Sequence, residues 1–244
     1  MVNIPQNLDD VANQAKIAAK SALDDGYRRV QVELLIPEIA LEAQGLALEF
    51  ASILSEYGSG LKILFTDTGA ASLAKRDWGE TVFSVTDLGS RRTPVERKIS
   101  DADEAFIVVC PSAVEVAQVE KLCNLAGDRP VLLLTPQLED VAVVGIGYAA
   151  RQLRERFIST LYSAYYYKSV DGAMVLRSHP GLWQVFLQKD TEYELIAELE
   201  NKPVGEDLER LIRQAINQGD SSAIKAKQKG IFASLQQFLK ALSQ

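Results

Sequence analysis

The sequence predicts an α/β fold: a Rossmann-like, three-layer parallel sheet of about five strands, extended by an antiparallel meander and flanked by N- and C-terminal helices. Three observations predict it. Up to about residue 157, short apolar runs closed by turn residues alternate with helical stretches, the signature of strand–helix–strand units with right-handed crossovers. Val131–Leu134, closed by Thr135-Pro136, is apolar throughout, as a strand buried on both faces must be. Beyond about residue 160 the period changes to short strands joined by tight turns such as Asp171-Gly172.

Taken in order, residues 7–25 read as a helix that Asn7 caps, with an alanine-rich stripe and Gly26 as its stop. The run 30–36 is the first strand, ended by Pro37. A helix over 38–57 carries Ala43, Leu46, Phe50, Ile53 and Leu54 on one face, and Gly58 and Gly60 end it. The second strand is 61–66, and Asp67-Thr68-Gly69-Ala70 turns it directly into a helix through Lys75. The third strand is 81–85. The stretch 88–103, with Arg91, Arg92, Arg97 and Lys98, reads as a solvated loop. A fourth strand at 105–109, a helix at 112–126 and the fifth strand at 131–134 follow. Gly145-Ile146-Gly147 then opens a helix bearing Arg151, Arg154 and Arg156.

The runs 161–170, 173–177, 182–188 and 193–200 form the meander, which extends the sheet because so small a ribbon buries little surface alone. A helix at 205–217 follows. The domain reading is one α/β domain over 1–220, with its parallel part at about 27–157 and its meander at about 160–201, and an amphipathic helix over 221–244. That last helix has four lysines, no acid and a stripe of Ile231, Phe232, Leu235, Phe238, Leu239 and Leu242. It docks on the domain or lies on an anionic membrane with its lysines snorkelling, and both readings stay open.

Composition bounds the function. Apolar residues make up 47% and charged residues 24%, an ordinary globular balance. A net charge of −7 argues against a general nucleic-acid binder, since neutralising phosphates needs a basic surface. Cys110 and Cys123 form neither a disulfide framework nor a zinc spacing. No secretory leader and no run long enough to span a bilayer is evident, so the expected location is the cytoplasm, with peripheral contact at most.

The candidate chemistry gathers at strand ends. Asp67, Thr68, Gly69 and Ala70 place free helix N–H groups at a sheet edge, and Gly145, Gly147, Arg151 and Arg154 do the same with arginine forks. Together they make a hypothetical anion site at the carboxyl edge, where open α/β sheets bind ligands. The plainer readings are an Asp N-cap and surface ion pairs such as Arg151 with Glu155. Cys110 ends a strand at that edge, but a nucleophilic cysteine needs a base, and His179 is the chain's sole histidine. A small buried thiol is the plainer reading. No catalytic set, metal site or cofactor is expected. Tyr165, Tyr167, Trp183, Phe232 and Phe238 are candidate partner-contact residues, because Tyr and Trp anchor interfaces.

Four stretches resemble a family signature: LFTDTGAASLAKRDW at 64–78, DRPV at 128–131, RQLRERF at 151–157 and HPGLWQV at 179–185. The chain resembles, over about residues 5–215, an uncharacterised domain family of cyanobacteria and chloroplasts. That family includes the plant low photosystem II accumulation factor, third of its series. A related domain is fused to a chloroplast adenylate-kinase-like protein. The resemblance implies an accessory or assembly factor of photosystem II at the thylakoid membrane, with photosystem subunits or assembly factors as partners, and it implies no catalytic residues. The family pattern has Asn before the proline after the fifth strand. Here Thr135 stands there, which weakens a ligand role for that position. The leading expectation is thus a non-enzymatic accessory factor. The alternative is a phosphate- or nucleotide-binding Rossmann-like module of transferase type.

Overall fold

Asn7 starts the first helix as its side-chain chemistry demands: its Oδ1 accepts the Asp10 N–H at 2.8 Å, and α1 runs Leu8–Asp24. Its stripe of Ala15, Ala18, Ala19 and Ala22 is fully buried, so the helix axis sits close against the sheet. Gly26, at φ 94, reverses the chain in a backbone conformation that strains any other residue. The computed structural model describes residues 4–89, 93–139, 147–170, 172–189 and 192–218. The expected helix over 221–244, with Phe232 and Phe238, lies outside these residues. So do Gly145, Arg91, Arg92 and Asp171.

The strands are β1 (Arg29–Leu35), β2 (Leu61–Phe65), β3 (Ser84–Asp87), β4 (Ala105–Val109), β5 (Val131–Leu134), β6 (Tyr162–Val170), β7 (Ala173–Ser178), β8 (Trp183–Lys189) and β9 (Glu192–Leu199). They form one nine-stranded sheet in the order β3-β2-β4-β5-β1-β6-β7-β8-β9. The meander therefore extends the sheet, as expected. One refinement concerns β6. It opens the antiparallel ribbon as expected, pairing with β7, and on its other side it pairs in parallel with β1, matching Val32 to Tyr165 and Glu33 to Tyr166. The reason is the connection before it. A helix, α5 (Tyr148–Arg156), carries the chain back from the end of β5, so the next strand starts at the opposite rim and runs the same way. From β6 onward the pairs β6–β7, β7–β8 and β8–β9 are antiparallel.

Helices cover both faces. On one face α1, α2 (Ala43–Ala51) and α3 (Thr68–Trp78) pack over a core that includes Val30, Val32, Ile63, Ile107 and Leu132. On the other, α4 (Val116–Ala126) and α5 pack over Leu64, Phe106, Val108, Val131 and Leu133. The same side of the meander is covered by α6 (Gly205–Gln218), whose Leu208, Ile212 and Ile216 meet Val175, Trp183 and Val185. The alternation of inward side chains along β4 and β5 explains why these strands are buried at every position.

Three boundaries differ from expectation. The helix expected over 38–57 is broken: 3-10 turns at Ile39–Glu42 and Ser52–Gly60 flank α2. The Ser52 hydroxyl donates to the Glu49 carbonyl, and Gly58 takes φ 49, so the α-helical ladder stops. The third strand is Ser84–Asp87 rather than 81–85, since β2 fixes its register by pairing Lys62 with Ser84. The helix expected from 112 starts at Val116, because Glu115 turns back to accept from the Ser112 N–H and hydroxyl.

Candidate functional site

The turns after β1, β2, β4 and β5 all open on the carboxyl rim of the parallel sheet, because parallel strands end together. There Asp67 occupies its own helix terminus: its Oδ1 accepts the Ala70 N–H at 2.9 Å. This is the N-cap reading, and it sets a carboxylate where an anion would otherwise bind. Thr68, Gly69 and Ala70 begin α3 on one face of the sheet. Gly147 begins α5 on the other face, so the rim separates the two halves of the expected anion site by the thickness of the sheet. Arg154 pairs with Glu139, and Arg156 makes a two-point contact with Glu120 of α4, with N–O distances of 2.7 and 2.9 Å. Arg151 is exposed and forms no ion pair with a described residue. Among the described residues, then, Arg154 faces a glutamate on the surface rather than a pocket beside Asp67.

Between these helices sit two neighbouring strand ends of the same design. Cys110 after β4 and Thr135 after β5 both take φ 49, and each precedes a proline. The Cys110 N–H donates to the Leu134 carbonyl and the Thr135 N–H to the Val32 carbonyl, both at 2.8 Å. Their side chains touch, with Sγ 2.7 Å from Oγ1. Burial pushes the Cys110 thiol up, and the Thr135 hydrogen bond opposes it only in part. Cys110 is therefore a protonated thiol rather than a nucleophile, and His179 lies at the opposite rim, beyond β7. A β-branched residue in the left-handed region is strained, whereas Asn is the side chain that adopts it most readily. Thr135→Asn is expected to stabilise the chain by about 1 kcal/mol, raising Tm by about 2–4 °C. A scanning calorimetry trace with unchanged or lower Tm would contradict the strain.

The rim also presents large apolar side chains to solvent. Leu41 after β1, Val114 after β4 and Tyr148 at the start of α5 are 78, 68 and 77% exposed. Sequence reading missed them. The available signal was an apolar residue placed in the segment just after a buried strand, where solubility alone favours polar ones.

The expected partner surface on the meander is corrected by burial. Tyr165 is fully buried, with its hydroxyl donating to Gln14 Oε1, and Trp183 is 4% exposed. Both rings are core, because each points from the sheet under a helix. Tyr167 is half-buried and lines a hollow of about 260 Å³ with Asn7, Val11, Leu35, Pro37 and Ser169. A second hollow of about 280 Å³ lies between Trp78 and Phe83. Both fall short of the usual volume of a small-molecule site, about 300–1,000 Å³.

The amino rim holds a polar network that sequence reading did not assemble. His179 is buried between Tyr162 and Asp25: its Nδ1 lies 2.6 Å from the Tyr162 hydroxyl and its Nε2 2.9 Å from Asp25 Oδ2. Arg177 Nη2 donates to the same hydroxyl at 3.0 Å, and Tyr27 stacks on Tyr162 at 3.6 Å. The Arg177 guanidinium lies over both the Tyr162 and the Trp183 rings. Beside it Glu33 accepts from Ser163, Gln31 and Lys202. Of the HPGLWQV stretch, His179 thus ties the ribbon to the end of α1, while Trp183 packs against Tyr166 beneath Arg177 and Lys202. The arrangement is a cross-link between elements, in which the buried Arg177 Nε has no hydrogen-bond acceptor among the described residues.

Lys168 of β6 stands out within this face. Burial, reinforced by the Lys202 charge, pulls its ammonium down to about 8. The unfolded chain therefore binds more protons than the folded one between about pH 8 and 10.5, and stability from this group rises with pH across that window. Lys168→Met is expected to stabilise the chain by about 1–2 kcal/mol at pH 7. That advantage shrinks as pH climbs through the window. Urea midpoints at pH 7 and pH 10 measure it, and an advantage that stays constant would refute the assignment.

Among the described residues, no group of three His, Cys, Asp or Glu side chains is placed to hold a metal ion, and no helix is long and apolar enough to cross a membrane. No solved structure matches the chain significantly. A family model does match, over residues 5–210, and spans all nine strands. On that match the chain belongs to the family described as domain of unknown function DUF1995.

Proposed function

We propose that the chain is a non-enzymatic accessory or assembly factor of the photosynthetic apparatus, of the photosystem II biogenesis type, acting by protein–protein contact at the thylakoid surface. The carrying observation is the carboxyl rim, where Leu41, Val114 and Tyr148 stand exposed in the segments that follow three central strands. An exposed tyrosine and exposed aliphatic side chains at a sheet rim are the residue types that anchor interfaces. The photosynthetic context of this reading rests on the resemblance carried by the four signature stretches.

The test is recovery of partners. The tagged full chain, purified from solubilised membranes, is expected to bring down photosystem subunits or their assembly factors. Val114→Asp with Tyr148→Asp is expected to lower that recovery about tenfold or more, the equivalent of about 1.4 kcal/mol. Both positions are exposed, so Tm is expected to stay within about 2 °C. Recovery of no photosystem subunit at either low or moderate salt would refute the proposal.

The alternative, a phosphate- or nucleotide-binding module of transferase type, has weaker support. The Asp67 carboxylate already takes the α3 terminus, and Glu139 takes Arg154. A thermal-shift panel of nucleotides and sugar phosphates is expected to leave Tm unchanged. A dose-dependent rise with any of them would favour the module instead.

A further inference from the structure

We infer that the outermost strand, β9, is the docking site of the chain's own C-terminal stretch, residues 221–244. Among the described residues β9 is the last strand of the sheet and pairs on one side only, with β8. One of its faces meets α6. On the other face Tyr193 and Leu195 stand beside Gln188 and Phe186, and α1, the helix on that side, lies over β1, β6 and β7. Leu195 is 41% exposed there. The strand and its end carry Glu192, Glu194, Glu198 and Glu200, all of them exposed. An open, half-apolar edge strand invites pairing unless something covers it.

The sequence after α6 has the complementary character. Residues 221–244 hold Lys225, Lys227, Lys229 and Lys240 and no acid, while Ile231, Phe232, Leu235, Phe238, Leu239 and Leu242 recur at helical spacing. Reach is not limiting. α6 ends at Gln218 while packed against β9, and the dozen or so residues before Ile231 can span up to about 40 Å. An apolar helical stripe flanked by lysines is thus tethered next to an apolar strip flanked by glutamates. The tether raises the effective concentration to the millimolar range, so a weak contact is enough to keep it closed. The inference is independent of the partner reading, which uses the segments after β1, β4 and β5 and no residue of β9.

The experiment is zero-length carboxyl–amine cross-linking of the full chain, mixed from isotopically heavy and light material, followed by mass spectrometry. The expected result is links within one chain from Lys225, Lys227 or Lys229 to Glu192, Glu194, Glu198 or Glu200. Phe232→Ser with Phe238→Ser keeps every reactive group and is expected to reduce those links about fivefold or more, as is Leu195→Asp. Links that join heavy to light chains assign the strand to a second copy and overturn the inference. So do links to other acids alone, or a yield that neither variant changes. Absence of links, with the C-terminal stretch shielded from trypsin only when anionic vesicles are added, assigns that stretch to a membrane and also overturns it.

Discussion

Arg129→Ala is expected to destabilise the chain by about 3–4 kcal/mol, seen as a lower urea midpoint with an unchanged slope. The guanidinium binds four main-chain carbonyls at once. Nε donates to Ala126 at 2.9 Å, Nη2 to Leu125 at 2.6 Å, and Nη1 to Ser100 at 3.1 Å and Asp103 at 2.8 Å. Two of these carbonyls close the end of α4, which leaves its last acceptors without intrahelical donors. The other two belong to the turn that leads into β4. One side chain therefore joins a helix end to a strand start, and it also lies over the Phe106 ring. Arg129→Lys is expected to recover less than half of the loss. An ammonium is a point donor and cannot reproduce a planar fork aimed at four oxygens. A lysine variant within about 0.5 kcal/mol of the parent would show that charge, not geometry, is what matters here.

That residue also shows what could and could not be read in advance. Arg129 sits in one of the four signature stretches, yet its type and neighbours do not reveal that its targets are carbonyls; only the approach of the 100–103 turn supplies them. Local pattern was enough where burial is total: Val131–Leu134 and the α1 alanines announce themselves because every inward position must be apolar or small. Strand direction was not legible at β6. Alternation along 162–170 is the same for parallel and antiparallel pairing, and only the α5 crossover decides between them. The carboxyl rim was legible as a place, since strand ends can be counted, but not as a surface. The expected ligand groups there are taken by neighbours, Asp67 by its own helix and Arg154 by Glu139, while Leu41, Val114 and Tyr148 stay exposed. The amino-rim network was illegible because Asp25, Tyr162 and His179 are distant in sequence and converge only when α1, β6 and β7 pack.

Asp103→Ala is expected to cost about 3–5 kcal/mol. Asp103 Oδ2 lies 2.6 Å from Lys62 Nζ, and both side chains are nearly enclosed, 7 and 13% exposed. The same oxygen accepts the Ser100 N–H at 2.7 Å, while Lys62 also donates to the Lys98 carbonyl at 2.9 Å. Removing the carboxylate leaves the ammonium among β2 and β4 backbone with one neutral acceptor. An uncompensated buried charge is costlier than the pair ever was favourable. Lys62→Met is therefore expected to cost less than Asp103→Ala. The double variant Lys62→Met with Asp103→Leu is expected to regain at least half of the single loss, because it exchanges two desolvated charges for apolar contacts. The regain stops short of complete because the Ser100 N–H loses its acceptor. Additive losses in a double-mutant cycle would mean that Lys62 reaches water once Asp103 is gone, and that this corner is looser than its packing implies. Coupling to Arg129 is the finer test. The turn that Asp103 holds is the turn that Arg129 grips, so Asp103→Ala and Arg129→Ala together are expected to cost less than the sum of the two, since either one alone already frees the 100–103 turn from β4.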